Sequence, residues 1–185
     1  MRIVTTKISG CYEIIPHIFE DYRGYLVKII HKETFNEHGL ISNFTEEFYS
    51  CSKKGVLRGL HFQVPPRDCY KIVYCVSGEV LDAVVDLRVG SPTYLNHILI
   101  GLSAAQGNAL YIPPGLAHGF YVTSGNAIMI YKTSISYSPE HDWGILWNSA
   151  GILWPDADPI ISVRDSKFMS LKMYVSPFVY TRQTK

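Results

Sequence analysis

Short apolar runs, some alternating with polar residues and some continuous, are broken every few positions by glycine, proline or serine along this chain. "YKIVYCVSGEVLDAVVDLR" (70–88) holds two β-branched, aromatic-containing runs on either side of Ser77-Gly78, which predicts two strands joined as a hairpin. Further strands are expected in "GYLVKII" (24–30), "YLNHILIGL" (94–102), "NALYIPP" (108–114), "GFYVTS" (119–124) and "AIMIYKTSISY" (127–137), at intervals that suit a sandwich or closed barrel. Helical patterns are scarce. One is expected from Lys32 to His38, capped by Gly39, and a second after Ser138-Pro139, where Glu140 favours a first helical turn. With no internal repeat or low-complexity linker, the pattern predicts one all-β barrel domain over residues 1–185, with small helical additions.

Composition fits that picture. The 185 residues are 47% hydrophobic and 18% charged, enough apolar material for one core. A net charge of +1 and the absence of a basic run give no broad attraction to nucleic acid or to an anionic membrane, so any anion site must be local. The N-terminal "MRIVTTKISGCYEIIPHIF" lacks the apolar stretch and cleavage site of a signal peptide, and no run approaches a membrane span, which predicts a cytoplasmic protein. Cys11, Cys51, Cys69 and Cys75 show no CxxC spacing and are expected to be free thiols without chemistry.

"GVLRGLHFQVPP" (55–66) places His61 among an arginine, glycines and prolines, a setting that core packing explains poorly. Strand alternation puts Gly59, His61 and Gln63 on one face and Leu60 and Phe62 on the other, with Arg58 adjacent. Two segments sharpen the architecture. Gly107, Pro113, Gly115 and His118 in "GNALYIPPGLAHGF" fit the second cupin motif, G-x5-P-x-G-x2-H, and Gly55 and His61 fit G-x5-H of the first. The resemblance implies a cupin-type double-stranded β-helix, a jelly-roll barrel. Metal-binding cupins continue the first motif as H-x-H followed by Glu. Here Gln63 takes the second histidine position and no glutamate follows before Glu79, so no bound metal is expected.

An imidazole titrates near neutrality and suits proton abstraction from carbon. A base acting on a carbon acid needs an orienting carboxylate, a cation or donor for the enolate oxygen, and an acid on the opposite face. Asp165 in "ISVRD", Lys71 at the start of the first hairpin strand and Tyr131 in "AIMIY" are candidates for those roles. Each also has an ordinary structural alternative: a turn or cap residue, a surface lysine, and barrel packing.

"GVLRGLHFQVPP", "YKIVYCVSGEVLDAVVDLRVGSPTY", "LYIPPGLAHGF", "YKTSISYSPEHD" and "LWPDADPIISVRD" together resemble, in order and over nearly the whole chain, the dTDP-4-dehydrorhamnose 3,5-epimerase family of metal-free cupin enzymes. The resemblance implies a nucleotide-diphosphate 4-keto-6-deoxysugar as substrate, proton exchange beside its ketone, and no cofactor. By similarity His61 is the base, Asp165 its partner, Lys71 the cation near the enolate oxygen, and Tyr131 the acid returning a proton at C5. Arg58, and Arg23 in "DYRGY", hold family positions for the pyrophosphate. Gln63, His118, Tyr137, Asp142 and Arg164 fall among substrate contacts, with Asp142 in place of the usual glutamate and Arg164 in place of the usual lysine. The family's dimers, in which an N-terminal strand crosses to the partner, imply a homodimer.

The match departs where the family reads the nucleobase. Glu46 to Phe48, "EEF", stands for Q-D-N; Lys28 replaces a glutamate and Leu26 a phenylalanine; Cys69 replaces a glutamine near Lys71. A site built for one base rejects another when its polar groups go unmatched. The departures point to a variant using another nucleotide, such as CDP, or inverting C3 or C5 alone; local drift around an unchanged substrate is the other reading. A 3,4-ketoisomerase and a non-catalytic sugar-binding cupin would share the barrel, but the tyrosine placed for C5 favours epimerisation over the first, and the complete candidate set of His61, Asp165, Tyr131 and Lys71 argues against the second.

Overall fold

The computed structural model describes residues 1–181. Along the chain run β1 (Arg2–Thr5), β2 (Tyr12–Ile15), β3 (Ile18–Asp21), β4 (Gly24–Val27), α1 (Lys32–Glu37), β5 (Glu46–Lys53), β6 (Leu57–Gln63) and β7 (Lys71–Ser77). There follow β8 (Glu79–Asp86), β9 (His97–Ser103), β10 (Ala109–Ile112), β11 (Leu116–Val122), β12 (Asn126–Thr133) and β13 (Asp142–Gly144). Antiparallel pairing gives a six-stranded sheet, β1-β2-β10-β7-β12-β5, and a five-stranded sheet, β13-β6-β11-β8-β9, beside the separate hairpin β3-β4. The fold is all-β and of the cupin type.

Three apolar clusters explain why several strands read as continuous runs instead of alternating ones. Val73, Leu110 and Met129 of the six-stranded sheet meet Val84, Leu102 and Phe120 of the five-stranded sheet in the central core. The outer face of the five-stranded sheet, including Leu60 and Phe62, is covered by Ile145, Ile152, Leu171 and Phe178. The outer face of the six-stranded sheet, including Ile14 and Ile72, is covered by Phe35 and Leu40 from α1 and the loop after it. Covered on both faces, all seven residues of β11 are buried.

The hairpin expected at Ser77-Gly78 is not formed. β7 pairs with β10 and β12, whereas β8 pairs with β11 and β9, so the link is a corner between sheets. A glycine followed by a strand signals a chain reversal, but the pairing partner is set by which apolar face must be covered, which the local sequence does not carry. Gly78 is required at this corner: its φ is +77°, and a Cβ would collide with the carbonyl oxygen of Asn126.

Other boundaries moved as well. β4 stops at Val27, β9 starts at His97 and β12 ends at Thr133. α1 ends at Glu37, with Gly39 at φ +67° just beyond its C-cap His38, and Pro139–His141 makes a single 3-10 turn, close to the two helical expectations. Among the described residues no helix is long and apolar enough to cross a membrane.

Candidate active site

A cavity of about 340 Å³ opens between the two large sheets. The five-stranded sheet contributes His61 and Gln63 from β6 and His118 from β11. The six-stranded sheet contributes Lys71 from β7, Tyr131 from β12, and Glu46 and Phe48 from β5. Tyr137, Asp142 and Arg164, from segments following β12, complete its rim.

His61 and Asp165, 104 positions apart in the chain, form a dyad with Nε2 of the imidazole 2.9 Å from Oδ1 of the carboxylate. The second carboxylate oxygen, Oδ2, accepts the backbone N–H of Gly59 at 3.1 Å, so β6 itself fixes the carboxylate beneath the histidine it carries. Close approach of β6 to β11 allows this: a Cβ on Gly59 would lie 2.6 Å from the Cα of Gly119. Phe168 meets the imidazole edge-on at 5.7 Å.

Burial pulls the His61 pKa below its ordinary value, against the opposing pull of Asp165. Burial alone would raise the Asp165 carboxyl, but hydrogen bonds from His61, Gly59 and Ser162 hold it below the usual carboxylate range. The pair at neutral pH is therefore a carboxylate against a neutral imidazole. An ionised carboxylate only accepts, so Nε2 carries the hydrogen and Nδ1 keeps a free lone pair.

Tyr131 stands on the opposing sheet. Its hydroxyl is 3.1 Å from Ser50 Oγ, and burial pushes its pKa far up, so the phenol stays protonated at neutral pH. Lys71 Nζ makes a long 3.5 Å contact to the His61 carbonyl oxygen, and burial lowers its pKa. Phe48 lies flat on the Tyr131 ring.

His118, the register partner of His61 across β6 and β11, has its own carboxylate: its Nε2 is 2.8 Å from Asp82 Oδ2. Asp82 was missed in the sequence, although an aspartate inside the apolar run "EVLDAVVD" marks a buried acid in need of a partner. Its other oxygen, Oδ1, has no hydrogen-bond partner among the described residues, and burial raises its pKa. Among the described residues no three His, Cys, Asp or Glu side chains gather to hold a metal ion.

Other predicted contacts do structural work around the rim. The Gln63 amide donates to the Arg67 carbonyl at 2.8 Å and accepts the Ser138 N–H at 2.7 Å. Glu46 accepts the Tyr137 N–H at 2.6 Å, and Asp142 accepts the Tyr137 hydroxyl at 3.0 Å and pairs with Arg164 at 2.7 Å. Arg58 is exposed and does not line the cavity; its Nε donates to Ser52 Oγ at 2.9 Å, and its charge opposes the rise in the Tyr131 pKa. Arg23 and Lys28 are not brought to this cavity within the chain. They lie on the β3-β4 hairpin, where Arg23 pairs with Asp21 at 2.6 Å. Cys69, left without chemistry in the sequence, lines the cavity near Lys71, with burial raising its pKa.

The model of the dTDP-4-dehydrorhamnose 3,5-epimerase family matches residues 5–173. A dTDP-4-dehydrorhamnose 3,5-epimerase from Shigella flexneri is 39% identical over 181 residues, covering 95% of this chain and 100% of that protein. A dTDP-4-dehydrorhamnose 3-epimerase from Streptomyces niveus is 38% identical over 175 residues, covering 92% and 84%. The crystal structure of a dTDP-6-deoxy-D-glucose-3,5-epimerase from Legionella pneumophila Philadelphia 1, in complex with dTDP-4-keto-L-rhamnose, superposes with a TM-score of 0.91 at 33% identity, covering 97% and 99%.

Proposed function

This chain belongs to the dTDP-4-dehydrorhamnose 3,5-epimerase family, and from that premise we propose how its cavity inverts the carbons beside a sugar ketone. The enzyme epimerises a nucleotide-linked 4-keto-6-deoxysugar at C3 and/or C5 by proton abstraction and return through an enolate. The observation that carries the assignment of roles is the placement of the His61–Asp165 dyad and the protonated Tyr131 phenol on opposing walls of one cavity.

The 4-keto group acidifies the hydrogens at C3 and C5. Nδ1 of His61 takes a proton, the electron pair moves onto the ketone oxygen, and Asp165 stabilises the imidazolium formed. The Lys71 ammonium lines the cavity, where it offsets the enolate charge. Tyr131 returns a proton to C5 from the opposite face, which inverts the centre; solvent then removes the proton from the imidazolium and restores the phenol. Both carbons react, as in the relatives named 3,5-epimerases, with solvent returning the proton at C3, and the nucleotide is dTDP, as the relatives' names give for those proteins, so that Glu46, Phe48 and Lys28 are local drift around an unchanged substrate. Inversion at C3 alone is the second reading, because the Streptomyces niveus 3-epimerase is 38% identical, beside 39% for the Shigella flexneri 3,5-epimerase.

Arg58, and Arg23 brought by the partner's arm, supply guanidinium groups for the pyrophosphate, with Gln63, His118, Tyr137, Asp142 and Arg164 shaping the sugar site. The β3-β4 hairpin leaves Phe19, Tyr25 and Leu26 exposed, which supports a homodimer whose arm brings Arg23 and Lys28 to the partner's cavity, beside the base-reading positions Glu46 and Phe48. A monomer in sedimentation at working concentration would contradict that arrangement. The described thiols are free, as suits a cytoplasmic enzyme.

The pH profile of kcat/KM tests the base. Protonated His61 cannot accept a proton, so the rate falls on the acid side as the imidazole charges. Because burial lowers its pKa, the acid limb lies below about pH 6.5, the ordinary value for histidine. An acid limb well above that value would contradict a neutral, buried base.

A further inference from the structure

Phe48 and Tyr131 are direct cross-strand partners on β5 and β12. Their rings stack with centroids 4.7 Å apart and planes inclined by 11°. Tyr131 is buried at the margin of the central core, and three further contacts restrain its phenol on the cavity wall. Ser50 holds the hydroxyl at 3.1 Å, and His118 meets the ring edge-on with centroids 6.4 Å apart. Of the three, only the stack on Phe48 lies face to face with the ring and resists its tilting.

Phe48 is poorly explained as a core residue. It lies on an edge strand of the six-stranded sheet and is 47% exposed, yet its ring covers the buried phenol and faces the cavity. A hydrogen-bond donor must be aimed at the carbon it protonates, and a small misorientation there costs rate at that carbon alone. We propose that Phe48 is a positioning residue for the acid: its stacked ring fixes the plane of Tyr131 and thereby sets the rate of inversion at C5 relative to proton exchange at C3. The inference rests on Tyr131 acting at C5.

The test compares Phe48→Leu and Phe48→Tyr with the wild type, on dTDP-4-keto-6-deoxyglucose in deuterated water. Leucine keeps apolar bulk without a ring to stack, whereas tyrosine restores the ring; at a half-exposed edge position both variants fold. Phe48→Leu should lower the rate of C5 inversion about tenfold relative to C3 exchange in the same sample, and Phe48→Tyr should restore the wild-type ratio. Parallel loss at both carbons, no loss at C5, or failure of tyrosine to rescue would overturn the proposal. Tyr131→Phe, measured alongside, separates the failures. If it leaves C5 inversion intact, the role of Tyr131 falls and that of Phe48 with it. If it abolishes inversion and Phe48→Leu does not slow it, only the Phe48 inference falls.

Discussion

A His61→Asn variant retains the nucleotide sugar and loses proton exchange at both C3 and C5, by about 10²–10⁴-fold, the range supplied by a positioned general base. Asparagine occupies much of the same space and keeps a polar group beside Asp165, but no nitrogen of its amide accepts a proton at neutral pH. The neighbours that hold the histidine survive the change: Asp165 still accepts the Gly59 N–H, and Phe168 still packs under Gly144, where a Cβ would meet its ring. Binding should persist because the arginines assigned to the pyrophosphate are Arg58 and Arg23, whose side chains bond to Ser52 and Asp21 and not to His61. Affinity is read by titration and exchange by proton NMR in deuterated water. Exchange at the wild-type rate would remove His61 from the mechanism.

Tyr131→Phe separates abstraction from return. The substitution deletes one oxygen and leaves the ring stacked on Phe48, so the barrel and the cavity wall are kept. His61 still removes the C5 proton and solvent deuterium still enters from the base's side, with retention of configuration. Inversion at C5 falls by about 10²-fold or more, since no proton arrives from the opposite face. Exchange at C3 and KM stay close to wild type. Loss of exchange at both carbons in parallel would mean that the phenol serves the enolate, as a donor to its oxygen, and does not act as the acid at C5.

The alternation around His61 was legible because strand period is local: Leu60 and Phe62 do join the outer cluster while His61 and Gln63 line the cavity. Tyr131 was a candidate acid in the sequence, but its place opposite His61 was not legible, because the facing of two sheets brings it there, and neither the order of strands nor the sheet-changing corner at Gly78 is written in adjacent residues. The sequence read Ser77-Gly78 as a hairpin for that reason. Asp165 shows the same limit in another form. Its neighbours read as a turn, and it does begin a 3-10 turn, Asp165–Lys167, yet its carboxylate is also the partner of a histidine on a distant strand. Asp82 could have been found, since a charged residue in a buried apolar run needs a partner, and the register of β8 with β11 supplies His118. The edge strand β5 was not foreseen, because "EEFYSCSK" carries polar residues on an unpaired edge where apolar alternation is not needed. Its Phe48 was therefore readable as a departure from a family pattern, but its stacking on Tyr131 was not.

Proton NMR of the enzyme with dTDP-4-keto-6-deoxyglucose in deuterated water, following the C3 and C5 hydrogens together, tests the central claim most directly. Solvent deuterium entering both positions, with inversion at each, is the predicted result. Deuterium at C3 alone would make the enzyme a 3-epimerase and remove Tyr131 from its assigned task, and no exchange at either carbon despite tight binding would contradict catalysis by this cavity.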